Sequence, residues 1–143
     1  MAAIALFAGY YFSKKWAIIL TLAIMFISDI SLGFYDWKLM AVVYGCMALT
    51  VLVGAIIKKY QSGLVVLNSS LAISIIFFLV TNLAVWLFSS WYVHSWSGLM
   101  NCYVLALPFF RNNLLGNLFY SAVLFGSYEA VKLLARQKIT VRI

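Results

Sequence analysis

An all-α fold is predicted: a polytopic helical membrane protein with about five spans plus a short re-entrant or interfacial helix. Three observations carry this. Of 143 residues 66% are hydrophobic and 9% charged, against roughly 25% charged in a soluble domain. Four apolar runs, Trp16 to Gly33, Leu39 to Ile57, Leu64 to Phe88 and Leu114 to Ala135, each approach or exceed the ~20 residues with which an α-helix crosses a hydrocarbon core of about 30 Å. The runs are continuous, whereas barrel strands would alternate apolar and polar residues over about ten positions. The whole chain, residues 1–143, reads as a single integral membrane domain.

The first element, Met1 to Phe12, is apolar but about half the length of a span, and no small-residue cleavage site follows a basic start. It is expected to be a truncated or tilted helix. Because the chain opens inside an apolar run, a missing upstream segment is also expected.

The spans that follow are oriented by their flanking charges. The formal net charge is +7, and Lys14, Lys15, Lys58, Lys59, Lys132, Arg136, Lys138 and Arg142 all lie at predicted helix ends. If successive connections alternate sides, these eight fall together and leave Lys38 and Arg111 opposite. Such a bias marks the cytoplasmic side, so the C-terminus is expected there. The charge is then a topology signal, and no nucleic-acid partner is predicted.

With that orientation the Leu64 to Phe88 helix runs outward and the Leu114 to Ala135 helix inward. The segment Ser97 to Leu107 lies between two outer ends and is too short to span, so it is expected to be re-entrant or interfacial. Backbone that breaks at membrane depth needs a cover of protein or cavity water. Pro108 is expected to end this helix sharply, because it lacks an N–H donor and biases the preceding residue away from the helical region.

Polar residues within the spans indicate what faces inward. Ser70, Ser74 and Thr81 fall within about 40° of one another on a helical projection, and Asn113, Asn117, Tyr120 and Ser127 share a face of the last helix. The deeper ones suit hydrogen bonding between helices. Ala5 with Gly9 and Ala41 with Gly45 have the four-residue spacing of close helix packing.

Asp29 lies four residues before the outer end of its span, where a carboxylate needs a partner or water. Arg111 is the expected partner, and the pair serves equally well as a helix lock or as part of a binding site. Glu129 and Lys132, three apart on one helix, are expected to pair.

The stretch Trp91 to Asn113 combines Trp91, Tyr92, His94 and Trp96 with Arg111 and Asn112. An aromatic belt at the headgroup level explains the rings, and a site for a flat, partly polar molecule explains rings, histidine and arginine together. A lone histidine and two separated cysteines, Cys46 and Cys102, lack metal-ligand spacing. No metal or other cofactor is predicted. No nucleophile and base, paired carboxylates or phosphate-binding glycine loop can be assembled, so an enzyme is not predicted.

Four stretches carry a resemblance: residues 3–12 (AIALFAGYYF), 25–34 (MFISDISLGF), 77–86 (FFLVTNLAVW) and 106–120 (ALPFFRNNLLGNLFY). Together they resemble a family of small bacterial membrane proteins of unassigned function, grouped with transport proteins, over nearly the whole chain. That family is in turn more distantly similar to the substrate-binding S components of energy-coupling factor vitamin transporters. The resemblance implies a bacterial inner membrane location, six helices with both termini cytoplasmic, a ligand pocket near the outer face, and docking on a membrane scaffold with ATPase subunits. The chain departs from the family pattern in lacking a further N-terminal helix and a Pro-Asn-containing outer loop, which puts scaffold docking and one pocket wall in question.

Two functions are thus expected. One is capture of a vitamin-like or heterocyclic small molecule in an outer pocket formed by Asp29, Trp86, Trp91, Tyr92, His94, Trp96, Asn101, Arg111 and Asn112. The other is a small accessory subunit packed in a larger membrane protein complex. The lipid bilayer is a partner in either case.

Overall fold

The structure, a computed structural model, describes residues 1–60 and 62–140, and for residues 32 and 136–140 the backbone alone. Five α-helices follow one another: α1 (Ala2–Tyr11), α2 (Lys14–Leu32), α3 (Trp37–Ile57), α4 (Gly63–Phe88) and α5 (Trp96–Thr140), with a 3-10 turn at Lys58–Tyr60 after α3. Among the described residues there is no strand. By length and composition three segments could cross a membrane: Trp37–Tyr60, Gly63–Phe88 and Trp96–Ala135. The 19-residue α2, which carries Lys14, Lys15 and Asp29, is not one of them.

The short α1 forms the centre of the bundle and touches every other helix. Its residues are small, so neighbours approach closely: Ala5 and Leu6 are 0% and 1% exposed. The closest approach is to α3. A β-carbon on Gly9 would land on the Val51 carbonyl oxygen, and one on Gly54 would land on the Leu6 carbonyl oxygen. Glycine is required on both helices because here backbone meets backbone. Gly45 has open space around it instead, and Ala41 beside it is exposed. The Ala5 and Gly9 expectation therefore holds, whereas the Ala41 and Gly45 pair packs against nothing.

Turn chemistry sets the helix boundaries. α2 stops at Gly33, whose φ of 97° lies in the left-handed region that favours glycine. Asp36 caps α3 by accepting from the Lys38 backbone N–H at 2.8 Å. Ser95 begins α5 in the same way, its Oγ accepting from the Gly98 N–H at 3.1 Å.

α5 overturns the expectation that Pro108 ends a helix. One helix of 45 residues runs through the proline, so residues 97–107 are continuous with the rest. The missing N–H costs one helical hydrogen bond, but α4 grips α5 on both sides of it. Tyr103 Oη donates to the Leu79 carbonyl at 2.9 Å, and the rings of Phe78 and Phe110 lie 4.4 Å apart. Packing of this kind is how membrane helices tolerate an internal proline. Between Cys102, which donates to the Asn82 carbonyl, and Asn117, which donates to Ser74, α5 takes the longer path along α4. Pro108 lies within that stretch, where a bend belongs.

Large apolar side chains cover the outside, among them Leu64 at 73% and Phe109 at 76% exposure. Contiguous apolar surface of this extent is suited to lipid rather than water.

Candidate functional site

Asp29 sits half-buried in the last turn of α2, and its partner is not Arg111. Tyr44 on α3 donates its phenolic hydrogen to Asp29 Oδ2 at 2.7 Å. Topology explains the difference. α2 packs on α1 and α3, and α3 brings up a donor before α5 can. Arg111 is exposed on α5, and among the described residues the one carboxylate–cation pair is Glu129 with Lys132 at 3.4 Å, as expected from their spacing. Tyr35, in the turn between α2 and α3, also lies near Asp29. Burial, with the carboxylate adding to it, pushes the Tyr35 phenol above its ordinary value.

Around Asp29 opens a cavity of about 450 Å³, reached by every helix. Asp29 and Ser28 come from α2, Met47 from α3, Phe77 from α4, and Phe109, Asn113 and Asn117 from α5, with Met1 and Ala2 at its edge. The composition is that of a small-molecule site, with apolar and aromatic walls and a few polar groups set among them.

Those polar groups are held from behind. Asn117 Nδ2 donates to Ser74 Oγ at 3.1 Å and to Asn113 Oδ1 at 3.3 Å. Ser74 in turn donates to the Ser70 carbonyl at 2.8 Å, and the Ser70 and Ser121 hydroxyls meet at 3.1 Å. This is the expected interhelical hydrogen bonding, with Ser121 added. Its register, four residues after Asn117, could have revealed it. The stripe is not uniform, however. Thr81 and Ser127 bond carbonyls of their own helices, Phe77 and Leu124, and Tyr120 is 60% exposed.

The other predicted site residues lie elsewhere. Trp86 and His94 meet edge to face at 5.4 Å, and Trp86 Nε1 donates to the Val93 carbonyl at 3.1 Å. That contact closes the turn after α4. Trp91 and Trp96 are 78% and 77% exposed, Tyr92 is half-buried, and Asn101, Arg111 and Asn112 are exposed. Of the nine residues only Asp29 lines the cavity, and the nine do not gather into one concavity. Sequence reasoning missed Tyr44, Tyr35 and Phe109, and placed Phe77 on the polar stripe of its helix without counting it in the site. It placed Asn113 and Asn117 on the inward face without counting them in the site.

Cys46 and Cys102 are free and buried. Among the described residues no group of three or more His, Cys, Asp or Glu side chains converges. The side chains of Arg136 and Lys138, and the whole of Arg142, read from the sequence as cytoplasmic charges, lie outside the described residues.

No curated protein and no solved structure matches the chain. The model of a family of unknown function, DUF6580, matches residues 1–139, and the chain belongs to that family.

Proposed function

We propose that the protein is the small-molecule-binding membrane component of a transport system, and that the ligand occupies the cavity beside Asp29. One observation carries this reading. A carboxylate within an apolar helix, costly unless it serves a purpose, opens onto a cavity of about 450 Å³, part open to the surface, together with two asparagines and two phenylalanines. That volume lies within the ~300–1,000 Å³ range of small-molecule sites. A suitable ligand has a flat apolar body for Phe77 and Phe109, a donor or cationic nitrogen for Asp29, and an amide-like edge for Asn113. A vitamin-like heterocycle meets all three conditions. In this reading energy would come from scaffold and ATPase subunits, since the sequence has no phosphate-binding glycine loop.

Five membrane segments, a cytoplasmic C-terminus and a bacterial inner membrane location belong to the same proposal. The Lys14, Lys15, Lys58, Lys59 and Lys132 grouping supports it. So does the length of α5. Its 40 residues from Trp96 to Ala135 measure about 60 Å, twice the bilayer core, so its first turns have room to lie obliquely along the outer end of α4.

The test is a thermal-stability screen of the purified protein in detergent against vitamins and nucleobases. The expected result is a compound that raises Tm in the wild type and has no effect on Asp29→Asn, with Arg111→Ala responding normally. A screen without a stabilising compound, or an equal response in Asp29→Asn, removes the proposal.

α5 favours the second reading, an accessory subunit of a larger complex. Of its most apolar window 6% is buried, against 33% for α3, which leaves a long face for a protein neighbour. Co-purification with a larger complex at fixed stoichiometry is the expected outcome in that case.

A further inference from the structure

We propose that the end of the bundle where α4 begins binds an anionic phospholipid, its phosphate between Lys58 and Lys132 and its acyl chains along α4 and α5. The site is separate from the Asp29 cavity and does not depend on its ligand. A cavity of about 850 Å³ opens between the end of α1, the turn after α3, the first turns of α4 and residues 121–132 of α5. Its lining divides by chemistry. Leu64, Leu67 and Phe125 make an apolar wall, while Lys58 and Lys132 bring two cations from separate elements.

The charge balance favours an anion. Glu129 also lines the cavity, but it is already engaged, accepting from Tyr11 Oη at 3.1 Å and lying 3.4 Å from Lys132. Lys58 is exposed and makes no ion pair among the described residues. Two lysines against one shared carboxylate leave a net positive cavity.

The apolar wall identifies the source of the anion as lipid. α1 and α3 end and α4 starts at this level, which puts the lysines at the headgroup depth of a helix bundle. Leu64 is 73% and Leu67 38% exposed along the α4 side, and a free phosphate would leave both uncovered, whereas acyl chains cover them. Basic pockets between membrane helices recognise phospholipid headgroups in this way.

The experiment measures lipid binding to the full chain in detergent by native mass spectrometry, comparing phosphatidylglycerol, phosphatidylcholine and inorganic phosphate. Phosphatidylglycerol is expected to bind preferentially, and Lys58→Ala/Lys132→Ala to weaken it about ten- to thirtyfold. Lys58→Arg/Lys132→Arg should retain binding, and Glu129→Gln should tighten it by releasing Lys132. Circular dichroism confirms that the variants keep their helix content. Equal retention of phosphatidylcholine, or an unchanged double alanine variant, overturns the proposal. Binding of inorganic phosphate without any preference for phosphatidylglycerol overturns it in favour of a free anion.

Discussion

Asp29 and Tyr44 form the strongest single contact in the candidate site, a charge-assisted hydrogen bond of 2.7 Å between α2 and α3. Tyr44→Phe keeps the ring and removes the donor, leaving a half-buried carboxylate with one partner fewer. Hydrogen bonds to charged groups contribute roughly 1.5–3 kcal/mol, so this variant is expected to lose about that much unfolding free energy in detergent. Arg111→Ala removes an exposed side chain and is expected to change stability by less than about 0.5 kcal/mol. The opposite ranking in denaturant titrations would restore the Asp29 to Arg111 pair. That Asp29 needs a partner was legible in the sequence, because a carboxylate within an apolar run stands out. Its partner was not legible. A pairing rule based on charge selects Arg111, but the donor is a neutral tyrosine whose proximity depends on α2 packing against α3. The placement of the outer aromatics was not legible for a related reason. Trp91 and Trp96 are conspicuous by type, and type does not reveal that each is more than three-quarters exposed.

Between elements, the contact of α1 with α3 decides whether the bundle closes. Gly9 and Gly54 each face a carbonyl of the opposite helix, so even one methyl group forces the backbones apart. Gly54→Val is expected to destabilise by more than about 3 kcal/mol, at the upper end of overpacking. Gly45→Ala meets open space and is expected to be neutral or up to about 1 kcal/mol stabilising, through helix propensity alone. Thermal unfolding of the two variants side by side distinguishes a packing glycine from an incidental one. Four-residue spacing marked Ala5 with Gly9 and Ala41 with Gly45 alike. Spacing identifies a smooth helix face but not which neighbour meets it, and Gly54 was missed because it is the facing partner rather than half of such a pair. Pro108 poses the same problem along one helix. Its local chemistry argues for an end, yet the contacts of Tyr103 and Phe110 with α4 keep the helix continuous. Pro108→Ala is accordingly expected to leave stability unchanged or raise it, by at most ~3 kcal/mol. A marked loss would mean that a helix end at Pro108 is required.

For the molecule as a whole, the proposed topology makes a statement about sides that labelling can read. Cys46 and Cys102 are buried, so the wild-type protein gives a low background with a membrane-impermeant maleimide. Trp91→Cys, in the turn after α4, is expected to react in intact cells, because residue 91 is 78% exposed and lies on the outer side in the proposed topology. Lys59→Cys, at the other end of the 26-residue α4, is expected to react only after permeabilisation. If both react from the same side, α4 does not cross and the orientation drawn from the lysines fails. Lys15→Cys tests the least secure span. α2 falls outside the three segments that composition alone qualifies, yet its pairing with α3 and the two lysines at its start argue that it crosses. A spanning α2 followed by a spanning α3 returns the chain to the side it left, so Lys15→Cys and Lys59→Cys should behave alike. Labelling of Lys15→Cys from outside, with Lys59→Cys protected, would show that α2 does not cross. The Asp29 cavity would then lie against a helix that does not cross, still at the end of α3 opposite Lys59.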